Sequence, residues 1–439
     1  MKKTLTIAHY FLIFSVLMMA FSCKKDLAVK KSASVTVPQD QNFVSLADAT
    51  AAALKFPTSN TVGDAMKIKS ADGTATSAAR QILDYAEFPD SANPSVYIFN
   101  YVGGGFVVMS VDKRVQPVLA FSGKGYFSAA QVPTGVANWL TVNHENMQLL
   151  RKNTTLTIPK VVSTQWSKLV RFNVNTSGKT VDVAQPPPPI CEPTSSEQQV
   201  GPLLQTTWAQ GVPYNQNSNI PAGSYWAGGG RCPTGCVATA MAQVMYYWKY
   251  PTTYNWSIMP VSSDSYTSAG ETEVSRLMYN IGLSVGMVYG SESGPSSSNN
   301  NVPAIGFESS YFKYSSASTV NYDNSTTYPT VVSNLNAHEP VLLSGYTTSS
   351  AYLIFGTRLS NGHTWVCDGY LQSTWTWCPS DGNPGGGETT LYFDMNWGWN
   401  EQGSSNVDGW YAFNSWDVMN GSVQENFQYG LSMIDNIHP

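Results

Sequence analysis

Four consecutive prolines, Pro186–Pro189, constrain this chain more than any other feature. Each proline fixes φ and lacks an N–H, so the run fits neither a helix interior nor a central strand. It parts the 439 residues into an N-terminal and a C-terminal folding unit, in line with the domain count that such a length allows. The Thr-, Val- and Lys-rich text around it, 152–197, reads as an exposed linker. Hydrophobic residues at 42% are enough for a sizeable core and exclude a disordered polymer. With 24 basic against 29 acidic side chains, the net charge of −5 excludes a surface built to neutralise many phosphates, so nucleic acid is not expected as a partner. No repeat at a period of 20–50 residues stands out, which disfavours solenoids and propellers.

The N-terminus carries an address. Lys2 and Lys3 precede an apolar run, Phe11 to Phe21, that is too short to span a bilayer, so 1–22 reads as a signal peptide. Ala20-Phe21-Ser22-Cys23, followed by Lys24-Lys25-Asp26, resembles a bacterial lipobox. On that reading Cys23 is lipidated and 23–42 is a tether; ordinary cleavage beside an incidental cysteine is the alternative. Either way the chain is expected to be exported to the bacterial cell envelope or beyond, touching a membrane only through a lipid. Five cysteines remain: Cys191, Cys232, Cys236, Cys367 and Cys378. An odd number in an exported chain points to a free thiol. Cys367 could pair with Cys378 across adjacent strands, and Cys191 with Cys232. No cysteine pair-of-pairs or histidine cluster suggests zinc, so neither a metal nor a cofactor is expected.

Periodicity fills in the two units. Residues 43–56 carry apolar positions at helical spacing after a Ser/Asp start, and 135–151 look helical again. Between them, 95–102, 105–111 and 116–121 are short β-branched and aromatic runs punctuated by Gly103-Gly104 and Asp112-Lys113-Arg114, the pattern of a β-meander. These make a small α+β domain over 43–151. In the second unit, 198–439, apolar residues at 237, 240, 241, 244, 245 and 248 follow the 3.6-residue period until Pro251. Beyond about 340 the text turns to strands: PVLLSGY, AYLIFGT, HTWVCDGY, TLYFDMNWGW and GWYAFN. Helices followed by antiparallel strands predict an α+β class.

Candidate chemistry starts at Gly235-Cys236. A thiol in the first turn of a helix meets unpaired N–H groups and the positive dipole end, which favour the thiolate. The same position also suits a small buried side chain with no chemistry. A thiolate needs an imidazole partner. Of five histidines, His9 belongs to the leader, His144 to the first domain and His438 to the terminus, which leaves His338 and His363 as candidates. His338 precedes Glu339-Pro340 in a turn, where a surface role is expected; His363 is aimed from a strand start after Gly362, although a lone histidine is often only structural. Asn396 could orient the ring as the third member of a triad. Trp397 could shield that contact, and Trp399 could line the cleft. Aromatic–Gly alternation also occurs in strands with no catalytic duty. Gln210 offers an amide that could complete an oxyanion hole with the Cys236 N–H.

Taken together, WAQGVPYN, GCVATAMAQVMYYWKYP, GHTWVCDGY and NWGW resemble the streptopain family of papain-like cysteine peptidases. NYVGGGFVVMSVDKRVQPVLAFSGKGYF resembles that family's inhibitory propeptide. The resemblance covers about 43–150 and 198–437. It implies Cys236 as nucleophile, His363 as general base and acid, Gln210 as oxyanion donor, Trp397 packed beside the histidine, and Gly362 against the substrate backbone. The family's substrate-contacting serine falls near Pro295, with Ser296 as its substitute here. What is expected is therefore a papain-like α+β peptidase domain behind an inhibitory propeptide domain. Its partners would be protein or peptide substrates and its own N-terminal domain, with activation by cleavage inside 152–197. Two alternatives stand beside it. One is an inactive peptidase-fold surface lipoprotein whose tryptophans stack on peptides or glycans. The other is a different Cys–His enzyme, such as a transglutaminase or a peptidoglycan amidase.

Overall fold

The computed structural model describes residues 41–56, 81–169, 195–222, 230–290, 302–321, 324–345, 362–377, 386–399, 406–413 and 432–439. The body that contains the site is Asn42–Pro439. It opens with helix α1, Leu46–Lys55, started by the Ser45 hydroxyl accepting from the Asp48 amide at 3.1 Å. Four antiparallel strands follow: β1 (Ile82–Phe88), β2 (Val96–Tyr101), β3 (Phe106–Ser110) and β4 (Val118–Ser122). Every residue of β2 and β3 is buried. Their runs are hydrophobic without alternation because both faces are covered. β1 forms the outer edge, and its mixed text, ILDYAEF, had given no strand signal.

Helix α2 is Thr134–Lys152, with Arg151 and Lys152 in its last turn where the dipole favours cations. Helix α3, Lys160–Leu169, buries Val162, Trp166 and Leu169, and the Trp166 indole donates to the Val115 carbonyl at 2.9 Å. The reading of 152–197 as one exposed linker therefore fails at both described ends. Its start packs as a third helix of the N-terminal domain, and Ser195–Val200 forms strand β5, paired with the strand His363–Trp377. The prolines themselves lie outside the described residues.

The second unit begins with the Cys236–Trp248 helix, α4, then α5 (Ser268–Ser284), α6 (Val302–Glu308), β6 (Ser316–Asn321) and α7 (Asn324–Asn336). Its remaining strands are β7 (Val341–Gly345), β8 (His363–Trp377), β9 (Gly386–Asn396), β10 (Gly409–Ala412) and β11 (Ser432–His438). Residues 237–245 of α4 are all buried, so this helix is central to its half. Strand β8 is 15 residues long and runs through Cys367 to Trp377 as one element. Cys367 is a buried free thiol within β8, so the expected bridge from it to Cys378 is corrected. Cys191 and Cys378 lie outside the described residues, as does the AYLIFGT segment.

The sheet of the N-terminal domain does not stop at the domain boundary. Its order is β1-β2-β3-β4-β10-β9-β8-β7-β11-β6, because β10 pairs with β4 on one side and β9 on the other. Trp410 sits opposite Phe121, and Tyr411 opposite Ala120. Two hydrophobic cores result. One unites the N-terminal domain with Trp365, Cys367, Trp397, Trp410 and Tyr411; the other surrounds α4 and α5. Period-2 alternation sorts the shared strands between them: Trp365 and Cys367 enter the first core, Val366 the second, and likewise Leu343 and Leu342 on β7.

Candidate active site

Cys236 is the first residue of α4, delivered by Gly235 at φ 91°, a conformation that excludes most side chains. The turn is tied down locally. The Thr234 amide donates to the Gln210 carbonyl at 3.0 Å, the Thr239 amide to the Gly235 carbonyl at 3.1 Å, and the two threonine hydroxyls lie 3.0 Å apart. Gln210 is buried and held by this bond beside the segment that presents the thiol.

Opposite lies the start of β8. Thr364 directs both its amide and its hydroxyl to the Cys236 sulfur, and Ser344 on β7 stands 2.8 Å from the same hydroxyl. The helix amides of Val237 and Cys236 also reach the sulfur. These contacts favour a thiolate, but the loss of hydration around the thiol outweighs them and pushes its pKa up. The depression expected for a helix N-terminus does not prevail in this state.

His363, the residue before Thr364, is buried, and its ring lies among three tryptophans. It stacks on Trp365 and Trp397 and meets Trp399 edge-on, at centroid distances of 6.1, 6.4 and 6.2 Å. Nε2 is 2.8 Å from the Trp397 carbonyl oxygen. A carbonyl only accepts, so Nε2 carries the proton and Nδ1 is left as the basic nitrogen. Burial lowers the imidazole pKa to about 4 against the pull of that carbonyl. Among the described residues no hydrogen bond joins Cys236 to His363. Thiol and imidazole are both neutral here, one residue of strand apart in their contacts.

The third expected member is spent elsewhere. Asn396 hydrogen-bonds to Gln243, the Thr206 carbonyl and the Gly398 amide, and the carbonyl of Trp397 takes the place beside the imidazole. Trp397 is fully buried, and its amide donates to Asp408 at 2.7 Å. Gly362 and Trp399 are half-buried at the mouth of the strand. Ser296 and Cys23 lie outside the described residues.

Sequence reasoning missed Thr364, Gln243 and three acids. Gln243 had a readable signal, a polar residue two turns beyond Cys236 in a largely apolar helix. Asp368, Asp394 and Asp408 line a cavity of about 410 Å³ that also touches Ser122 and Lys124 of the N-terminal domain. Burial raises all three carboxyls, Asp368 and Asp408 to about 7, and Asp394 further because Asp368 and Asp408 lie beside it. The signal was an aspartate inside an apolar strand run, as in HTWVCDGY and LYFDMNW.

The family model described as Peptidase C10 family matches residues 208–253 and 252–411, and that of the Spi protease inhibitor matches 41–147. Over residues 208–411 the chain thus carries a domain of the Peptidase C10, or streptopain, family of cysteine peptidases. Its N-terminal domain is a Spi-type inhibitor domain. Similar proteins include the thiol protease/hemagglutinin PrtT of Porphyromonas gingivalis, 25% identical over 69% of this chain and 32% of that one. Streptopain of Streptococcus pyogenes is 26% identical over 46% of this chain and 52% of its own. The chain thus spans about a third and about half of these curated relatives. A solved prointerpain A fragment from Prevotella intermedia shares the fold, with TM-score 0.53 and 23% identity, covering 82% of this chain and 99% of that one. The architecture is accordingly a papain-like α+β domain behind an inhibitor domain.

Proposed function

We propose that this chain is an exported cysteine endopeptidase zymogen, held latent by its own N-terminal domain and active on protein or peptide substrates. The observation that carries the reading is the meeting of the Cys236 thiol, at a glycine-delivered helix start, with the strand that begins at His363. In the active state Nδ1 of His363 takes the thiol proton, and Cys236 attacks the substrate carbonyl. Gln210 and the Cys236 amide hold the oxyanion; the imidazolium then protonates the leaving amine, and water releases the acyl-enzyme. Gly362, Ser296 and Trp399 are the proposed substrate contacts, and Cys23 the lipid-modified residue.

Latency fits the geometry. Thr364 occupies the thiol, His363 is neutral, and helix α2 of the inhibitor domain presses on Trp397, the histidine's partner. The packing of Lys160–Leu169 and of Ser195–Val200 supports a cleavage inside 152–197 that falls between these two elements. Incubating the purified chain should yield a C-terminal fragment a little over half of its 47.8 kDa, together with casein hydrolysis and labelling of Cys236 by an epoxysuccinyl inhibitor. Cys236→Ala should stay full length and inactive. A wild-type chain cut in 170–194 that neither hydrolyses casein nor takes up the inhibitor would sink the peptidase reading and favour a binding protein.

A further inference from the structure

Gln243 and Asn396 form a closed amide pair in the interior. The Gln243 side-chain amide donates to Asn396 Oδ1 at 2.9 Å, and the Asn396 amide returns a bond to Gln243 Oε1 at 3.0 Å. Gln243 is fully buried and Asn396 nearly so. Each oxygen accepts once more, Gln243 Oε1 from the Trp208 amide at 3.1 Å and Asn396 Oδ1 from the Gly398 amide at 3.2 Å. The second Asn396 hydrogen goes to the Thr206 carbonyl at 2.7 Å. Buried amides bonded at this many atoms define one geometry, because a slip leaves polar groups stranded.

What the pair joins matters more than its stability. Gln243 lies seven residues, about two turns, beyond Cys236 on the same face of α4. Trp208 is two residues before Gln210. Asn396 immediately precedes Trp397, whose carbonyl holds His363. Four of these hydrogen bonds therefore tie together the elements that carry the nucleophile, the oxyanion amide and the imidazole, and the fifth closes the 396–398 turn on itself. Gly398 is what lets the 396–398 turn come so close: at φ 65°, an added Cβ would meet the Thr239 methyl at 3.1 Å.

Resting on the peptidase reading above, we propose that Gln243 and Asn396 are positioning residues that set the register between the thiol-bearing helix and the turn that holds the imidazole. Neither touches substrate; both act through Trp397, Gln210 and Cys236. A displacement of about 1 Å in such a frame lowers turnover on the order of 100-fold.

The test uses the full chain, matured by incubation with any separate protease that cuts in 170–194, and a short peptide substrate. Gln243→Leu and Asn396→Leu should each lower kcat on the order of 100-fold with KM changed little, and should shift the acid limb of the kcat/KM–pH profile. The double variant should be no worse than the poorer single, because both break one unit. Gln243→Glu guards against simple misfolding. Its protonated carboxyl can still donate to Asn396, so activity should return toward wild type at low pH and vanish as the carboxylate forms. Losses that multiply in the double variant, or that track the folded fraction with an unchanged pH profile, would overturn the assignment. An active wild type with fully active variants would overturn it while sparing the peptidase reading; an inactive wild type would remove both.

Discussion

The two sides of the candidate active site belong to different cores. Cys236 starts a helix whose surroundings, Trp208, Met241, Val244 and Leu277, all lie in the second unit. His363 sits among Trp365 and Trp397, which share a core with Phe121, Trp139 and the rest of the inhibitor domain. Trp139 meets Tyr411 edge-on at 5.0 Å, and Tyr411 meets Trp397 at 5.2 Å, a chain of rings from the inhibitor domain to the histidine's partner. At Gly135 the α2 backbone comes so near that an added Cβ would lie 2.4 Å from the Trp397 ring. The comparison teaches that the inhibitor domain grips the imidazole side and leaves the nucleophile helix to its own packing.

The largest expected effect separates the two sides by reaction. In the matured enzyme, His363→Ala should slow thiol alkylation and turnover by about 10²–10⁴-fold, the usual worth of a general base. In the uncut chain the same change should leave the alkylation rate of Cys236 nearly untouched, since Thr364 is the thiol's partner there. Equal losses in both forms would break the contrast.

Next come the cores themselves. Met241→Ala should destabilise the uncut and the matured protein alike, by about 2–5 kcal/mol in chemical denaturation. A smaller effect should follow Gly135→Ala, an overpacked contact of about 1–3 kcal/mol. It would weaken only the uncut chain and raise its Cys236 labelling rate. Should labelling stay flat while the uncut chain loses stability, α2 would be a structural neighbour rather than a grip.

The smallest effect is expected in pH, because Asp368 and Asp394 share a hydrogen bond and Lys124 offsets part of the charge on Asp394. Asp368 and Asp408 rise from 3.8 to about 7 in the folded chain, so their neutral forms stabilise it. That contribution is complete below about 4 and is lost as pH climbs through about 7. His363 acts in the opposite sense. Its pKa falls from 6.5 to about 4, so its contribution is present above 6.5 and lost as pH drops through about 4. Between pH 6.5 and 7.5 the carboxyls should slope the thermal midpoint of the uncut chain downward, and Asp394→Asn should flatten that slope. A slope that Asp394→Asn leaves unchanged would place the titration elsewhere.

Legibility in the text followed locality. The α4 helix was readable because its 3.6-residue period and its Gly-Cys start sit within a few residues, and β2 and β3 because β-branched runs between glycines admit little else. Strand β5, SSEQQV, looked like linker because it contributes backbone pairing to β8 rather than apolar side chains. The far half of β8 was missed for the same polar text. The β4–β10 seam pairs Phe121 with Trp410, nearly three hundred residues apart, and no local pattern announces such a contact. At the site, Cys236 and His363 were named from residue chemistry. The group beside the imidazole was not, since it is a backbone carbonyl and every residue has one; Asn396 drew attention as a side chain while its neighbour held the bond.

Continuity of the sheet across the two domains carries a price at maturation. If the inhibitor domain departs, β10 becomes an outer strand with its hydrogen-bonding groups bare and the Trp410 indole newly wet. Only four residues long and begun by a glycine, it offers little template for piling up copies of the freed enzyme. The same short rim would remain a landing place for the departed fragment, so a cut but undiluted preparation should stay partly self-quenched until that fragment is degraded or washed away.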